Sequence, residues 1–433
     1  MNGAATAEAA SSAAATRVRH GVVAFTLVMA AIGYLDRVSI ATAAPAIRAD
    51  LGLTDAQMGF VFSAFTFAYA LFEVPSGWFA DRYGARITLT RIVLWWSMMT
   101  ALTGAATGFV SLIIVRLLFG LGEAGMFPAT TRAYGRWLSD AERGRSFGLL
   151  IMVAALGGAV TQPLVVVMLR SMSWRATFPI FGSIGVVWAI AWWRWFRDDP
   201  ADHPGVNAAE LEAIAAVRRR RAEPAAIPWR EIFTSPTLVA LCLMYFFTIY
   251  GWYFYLTWLP TYLLRARGFD LQHTGWLAAL PYLALAAGVF FGGWASDHLA
   301  RAWGARRGRS AVGLVGLPIA AAAIAGAITT TSALASAWLL AAAAGASAFA
   351  VAPAWAVTLE IGGGNAGVVS GAMNTFGNLG GALSPIVVGE SLSRWGSWEA
   401  PLASVAVCYL LAAACWLVID PTRPIAGTPQ IAG

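Results

Sequence analysis

The sequence predicts an all-α integral membrane protein: twelve transmembrane helices in two pseudo-symmetric six-helix halves. Three observations carry that expectation. Of 433 residues, 59% are hydrophobic and 12% charged, with a mean hydropathy of +0.66, whereas soluble domains carry about 25% charged residues. Apolar runs long enough to cross a bilayer, roughly 20 residues each, follow one another along the chain. A loop motif then recurs half a chain later.

The first half holds runs over 21–44, 57–80, 87–107, 109–132, 146–169 and 174–196. The second holds runs over 236–264, 273–296, 310–331, 334–359, 365–389 and 399–419, within a half spanning 236–420. Between the halves, 197–235 is the longest polar stretch and reads as a cytoplasmic linker. It contains Arg197-Asp198-Asp199-Pro200, a short surface helix capped by Asn207, and the run Arg218 to Arg221. That run is a solvated inside-positive segment, with anionic lipid binding as the alternative. Residues 1–20 are Ala/Ser-rich and read as a disordered cytoplasmic tail, not a cleavable signal peptide. A second cytoplasmic tail covers 421–433.

The formal charge of +7 reports topology and excludes a nucleic-acid partner. All 29 basic residues are arginine. With both termini in the cytoplasm, inner segments carry 20 arginines against 6 in outer loops, the positive-inside bias. A multi-pass protein of the bacterial inner (plasma) membrane is expected, with membrane lipids around it and a monomer as its state. Cys242, Cys408 and Cys415 fall inside spans, without metal-ligand spacing or a disulfide framework.

The recurring motif supports the two halves. Gly77-WFA-Asp81-Arg82-Tyr83-Gly84-Ala85-Arg86 follows the second span, and Gly293-WAS-Asp297-His298 follows the eighth, the aspartates 216 residues apart. Gly157-Gly158-Ala159 before Pro163 is echoed by Gly380-Gly381-Ala382 before Pro385. Paired halves around a midplane site are a transporter architecture.

Within this apolar frame, four charges stand out. Arg116 and Glu123 lie seven residues apart, nearly two helical turns, and so share one face of the fourth span. Asp36–Arg37 interrupts the first span. An ionisable group inside a membrane helix costs roughly 2.5–3.5 kcal/mol on insertion scales and usually faces a bundle interior or watery cavity. Two such pairs point to an ion-coupled pathway for a charged solute. A buried carboxyl balanced between neutral and charged forms can load and release a proton, which makes Glu123 and Asp36 proton-coupling candidates. The plainer alternatives are a permanent bridge from Glu123 to Arg116 and a helix-packing bond from Asp36. Arg37 and Arg116 present planar guanidinium forks that match a carboxylate, or they neutralise their acidic neighbours.

Further candidates are polar side chains on apolar helices. Tyr69 is placed to hydrogen-bond a hydroxylated substrate, or is a core aromatic. Glu73, one turn later, is expected to pair with a cytoplasmic-loop arginine in preference to a coupling role. Ser370, Asn374 and Asn378 recur every four residues on a glycine-rich helix, as hydroxyl readers or helix–helix glue. Gln162 is a candidate of the same type. The aromatic run Tyr250 to Trp258 is a candidate outer gate, and Trp192, Trp193 and Trp195 an interfacial belt. Gly120-Leu121-Gly122-Glu123-Ala124-Gly125 satisfies G-x-G-x-x-G, but no strand precedes it and helix packing is the better account. The chain contains no Walker sequence, zinc spacing or catalytic triad, so no cofactor, metal or catalytic residue is expected. Near helix ends, Asp81 and Arg86 are suited to capping an N-terminus and meeting C-terminal carbonyls.

These motifs carry a resemblance. The Gly77–Arg86 block is similar to the loop signature of the major facilitator superfamily, G-x3-D-R-x-G-x-R. Gly33–Arg37 (GYLDR), Tyr69–Trp78 (YALFEVPSGW) and the stretch from Arg116 to Ser146 resemble its anion:cation symporter branch, which includes bacterial sugar-acid uptake proteins and vertebrate vesicular glutamate and sialic acid carriers. The resemblance covers essentially all of 21–420. It implies that Asp36 and Glu123 are the proton-coupling pair, that Arg37 and Arg116 contribute to an anion site, and that an asparagine near Asn374 or Asn378 contacts substrate. It also implies that Gly77, Asp81, Arg82, Gly84 and Arg86, with Asp297 in the second half, latch the inward-closed state. The second copy departs from the signature, with His298 for the usual Arg and the following Gly missing. Sugar-acid carriers often have Gln where this chain has Glu73. The expectation is a secondary carrier importing a small organic anion, such as a sugar acid, with protons, sodium being an open alternative. Proton-driven efflux of aromatic or amphipathic compounds and a non-transporting membrane sensor are the competing expectations.

Overall fold

The computed structural model describes residues 14–218 and 229–425. Arg219, Arg220 and Arg221 of the arginine run lie outside the described residues, as do 1–13 of the N-terminal tail and 426–433 of the C-terminal one. Among the described residues nine helices are long and apolar enough to cross a membrane. One of them, Asp55–Thr103, holds the second and third spans end to end across a non-helical Gly84. Ala366–Trp395, which carries the polar stripe, and the 17-residue Glu399–Cys415 complete the twelve.

Local chemistry sets the ends of the spans. Thr54 and Gln57 form a capping box at the start of the second span, and Ser139 and Glu142 repeat it at the fifth. Asp270 and Ser332 cap the eighth and tenth. Three spans are broken within the bilayer-length run. The fourth divides into Phe109–Glu123 and Met126–Trp137, the seventh into Pro236–Thr257 and Leu259–Arg265, and the tenth into Ala333–Ala348 and Val351–Gly362. The first break falls directly behind Glu123. The fourth and tenth occupy equivalent places in the two halves, and discontinuous helices of this kind border transporter sites.

The halves meet chiefly along two helix pairs, the second span against the eleventh and the fifth against the eighth, and the first span also touches the seventh. Small residues permit the approach: a Cβ on Gly389 would meet the Asp55 carbonyl oxygen at 2.6 Å. The contacts gather on the face away from the termini. There Asp55 pairs with Arg48 of its own half and Arg265 of the other, each at 2.7 Å. Ala56 N–H donates to Ser393 Oγ at 2.9 Å, Arg170 to Gln272 at 2.9 Å, and the Phe62 and Trp258 rings lie 5.5 Å apart edge to face. Trp258 of the expected outer gate therefore packs across the seam.

On the termini face the linker docks onto the first half. Asn207 caps Ala208–Arg218 through the Glu210 N–H (3.0 Å), and the wholly buried Glu210 accepts from the Val18 and Arg19 N–H groups (3.2 and 3.1 Å) at the start of Val18–Leu51. The tryptophan cluster divides. Trp193 is exposed as the belt reading expects, but Trp192 is fully buried, stacked on Phe196 with ring centroids 3.9 Å apart, because its face of the sixth span turns inward.

Candidate functional site

The four in-membrane charges converge. Asp36, Arg116 and Glu123 are 1%, 3% and 0% exposed. Glu123 pairs with Arg37 of the first span, Oε1 accepting from Nη2 at 2.6 Å and from Nε at 3.1 Å. It does not pair with Arg116, so the fixed bridge within the fourth span is replaced by one between spans. The side chains of one helix reach outward to the facing helix more readily than two turns along their own. Among the described residues no carboxylate pairs with Arg116, and its Nε has no hydrogen-bond partner. Asp36 faces Trp96 and Thr100 of the third span, within electrostatic range of Arg116 and Glu123. Both its carboxylate oxygens and Glu123 Oε2 lack hydrogen-bond partners. Buried polar atoms without partners are costly and uncommon.

Aromatic rings hold the guanidinium groups in place of carboxylates. Arg37 Cζ lies 4.8 Å from the Phe65 ring centroid, 5.0 Å from Tyr69 and 5.2 Å from Tyr34. Arg116 Cζ lies 5.0 Å from the same Phe65 ring and 4.7 Å from Phe119. Phe65 thus contacts both cations through its π system. Tyr253 of the seventh span approaches Arg37 from the other half. Sequence reasoning passed over Phe65 and Tyr34 and placed Tyr253 only within the outer-gate run Tyr250 to Trp258; the four-residue spacing of Phe65, Tyr69 and Glu73 was the available signal for the first.

The remaining candidates lie around this cluster. Glu73 does not meet a loop arginine: it accepts from Asn374 Nδ2 at 2.9 and 3.0 Å and from Asn378 Nδ2 at 3.4 Å. The eleventh span packs directly on the second, so the asparagines reach Glu73 first. Gln162 is fully buried, accepting from Thr42 Oγ1 and donating to Tyr282 Oη of the other half at 3.3 Å. Ser370 turns back to the Ala366 carbonyl on its own helix. The glycines of the G-x-G-x-x-G stretch pack against Phe65 backbone, the Trp95 ring and Ser76, a helix-packing role.

The loop motif forms a separate cluster. Asp81 caps no helix; it pairs with Arg132 at 3.0 Å and its side chain is 77% exposed. The capping acid is Asp198, from the linker, which accepts from the Ala85 and Arg86 N–H groups at 2.6 and 3.2 Å. Arg86 donates to the Trp193 carbonyl (2.6 and 3.0 Å), near the end of Trp174–Trp195. Arg82 is exposed with its Cζ 5.9 Å from the Tyr83 ring, and Gly77 packs beside Pro128. Gly84 takes φ +85° and ψ 166°, a region essentially reserved for glycine. The second half is not missing this glycine. Gly304 takes φ +83° and ψ 156° seven residues beyond Asp297, so the eighth span runs one turn longer before the same reversal. There Asp297 lies 3.5 Å from Arg309, which also pairs with Glu360.

Comparison with known proteins agrees with this architecture. The family model described as Major Facilitator Superfamily matches residues 26–385. Over 425 residues the chain is 37% identical to a probable sulfoacetate transporter of Cupriavidus necator, covering 96% of this chain and 97% of that one. Over 423 residues it is 30% identical to a hexuronate transporter of Bacillus subtilis, covering 94% and 96%. A bacterial homologue of the human lysosomal transporter Spinster, solved in an inward-facing and occupied conformation, shares the fold, with a TM-score of 0.74 at 20% identity over 93% of this chain and 97% of that one.

Proposed function

The chain belongs to the Major Facilitator Superfamily, and from that premise we propose that it imports a hydroxylated organic acid together with protons by alternating access. It is a transporter and not an enzyme, as are its relatives. The observation that carries the proposal is the Arg37–Glu123 ion pair beside an Arg116 that, among the described residues, makes no ion pair with a carboxylate. Arg116 is the resident anion receptor. Arg37 becomes the second receptor when its carboxylate partner takes up a proton.

Proton and anion are then linked by exchange of partners. Protonation of Glu123 removes the charge that holds Arg37, so a substrate carboxylate can take its place on the guanidinium. Departure of the anion returns Arg37 to Glu123 and expels the proton. The linkage is reciprocal, each ligand favouring the other's binding by the same free energy. Asp36, buried and close to Arg116, is the second proton site. Tyr69, Asn374 and Asn378 offer hydrogen bonds to substrate hydroxyls. The names of the relatives, a sulfoacetate and a hexuronate transporter, support an acidic substrate. The cross-half contacts on the face away from the termini support a state open towards the cytoplasm.

The test is uptake of a radiolabelled sugar acid by proteoliposomes. An acid exterior is expected to drive accumulation above the external concentration, abolished by a protonophore. Uptake that only equilibrates, with or without the gradient, contradicts proton symport.

A further inference from the structure

Glu73 has no part in this scheme, yet the structure commits two side chains of the opposite half to it. Both of its carboxylate oxygens accept from Asn374, and one from Asn378. The charged and titratable groups facing it are Arg37 of the first span, Tyr69 on its own span and Tyr245 of the seventh. None of them forms an ion pair with it, so its charge is not cancelled locally and acts on the cavity as a whole.

We propose that Glu73 sets the charge class of the substrate, making the loaded site complementary to a monoanionic acid and unfavourable to a dianion. The inference rests on the organic-acid reading above. In the loaded state Asp36 and Glu123 are neutral, leaving Arg37 and Arg116 as two positive charges. Glu73 reduces that sum to one, the complement of a single carboxylate. With a neutral side chain at this position, the same cavity would carry two positive charges and match a dianion. Glu73 also holds Asn374 and Asn378 on the substrate's path, so an acid that uses these amides must first displace a carboxylate. A second substrate carboxylate at that end would be repelled, while a hydroxyl would not. Complementary and like-charge placement discriminate between ligands more than they raise affinity.

A matched pair of six-carbon acids tests this: D-gluconate, with one carboxylate, and D-glucarate, with two. Affinities are measured by isothermal calorimetry on the purified full-length protein, its Glu73→Gln variant and its Glu73→Asp variant. The wild type is expected to favour gluconate. Glu73→Gln should shift the affinity ratio towards glucarate by on the order of tenfold, and Glu73→Asp, which keeps the charge, should retain the wild-type preference. A wild-type preference for glucarate, or a ratio that Glu73→Gln leaves within about twofold, overturns this inference while leaving the organic-acid reading in place. Failure of both acids to bind all three folded proteins overturns the organic-acid reading and this inference with it.

Discussion

Phe65 is the residue on which the charge cluster turns, since one ring faces both guanidinium groups. Two buried cations repel, and an aromatic ring that both approach offsets part of the cost without the full charge of a carboxylate. On the proposed reading, that leaves Arg116 available to an external anion. Its fork geometry matters as much as its charge, because a lysine supplies a point charge that cannot bind a carboxylate through two parallel bonds. Arg116→Lys should therefore weaken substrate binding by about tenfold or more, the equivalent of one charge-assisted hydrogen bond, as measured by calorimetry. The four charges were legible because ionisable side chains are conspicuous in apolar helices. Their pairing was not. Which carboxylate reaches which arginine depends on the rotation of the first span against the fourth, and the sequence of either span is silent on that. Phe65 was hidden for the opposite reason, one of 23 phenylalanines in a chain where aromatics are common.

At the scale of elements, the reversal at Gly84 joins two spans with one residue. The required backbone is closed to other residue types, and a Cβ there would lie 2.6 Å from an Asp198 carboxylate oxygen. Gly84→Ala should lower stability by about 1–3 kcal/mol, seen as a reduced melting temperature in detergent. Gly135→Ala, a helical position with open space around it, serves as the control and should hold or raise the melting temperature. The linker has its own dependence on pH. Burial beside Trp137 and Trp195, with Arg197 close by, lowers the His203 pKa from its usual value, and His203 Nδ1 accepts from the Gly205 N–H at 3.1 Å. The docked linker thus holds the neutral ring. The histidine's contribution to docking is at full strength above the usual value of about 6.5 and is lost as pH falls through the lower, docked value. Hydrogen exchange across 200–206 should rise on acidification in the wild type and stay flat in His203→Phe; equal behaviour in both would refute the assignment. The signature Gly77–Arg86 was readable as a turn, but not its capping acid. Asp198 lies 114 residues beyond Gly84 and meets it only because the sixth span returns the chain to the termini face. Gly304 escaped notice because one extra helical turn separates it from Asp297.

For the molecule as a whole, the repeat and the apolar runs make two six-helix halves legible in the sequence alone. Hydropathy and internal symmetry constrain membrane topology more tightly than they constrain side-chain partners. The contacts that join the halves were not legible, since they are long-range pairs such as Asp55–Arg265 and Ser63–Ala382. Nor was the bridge from Glu73 to the eleventh span, which requires the two halves to be docked. The central claim is that Glu123 exchanges Arg37 for a proton as the substrate anion arrives, coupling the two fluxes across the whole molecule. Glu123→Gln fixes the neutral form and tests that claim directly in proteoliposomes. The variant should exchange labelled for unlabelled sugar acid across the bilayer while failing to accumulate it under an inward proton gradient. Accumulation at the wild-type level by Glu123→Gln would contradict the account.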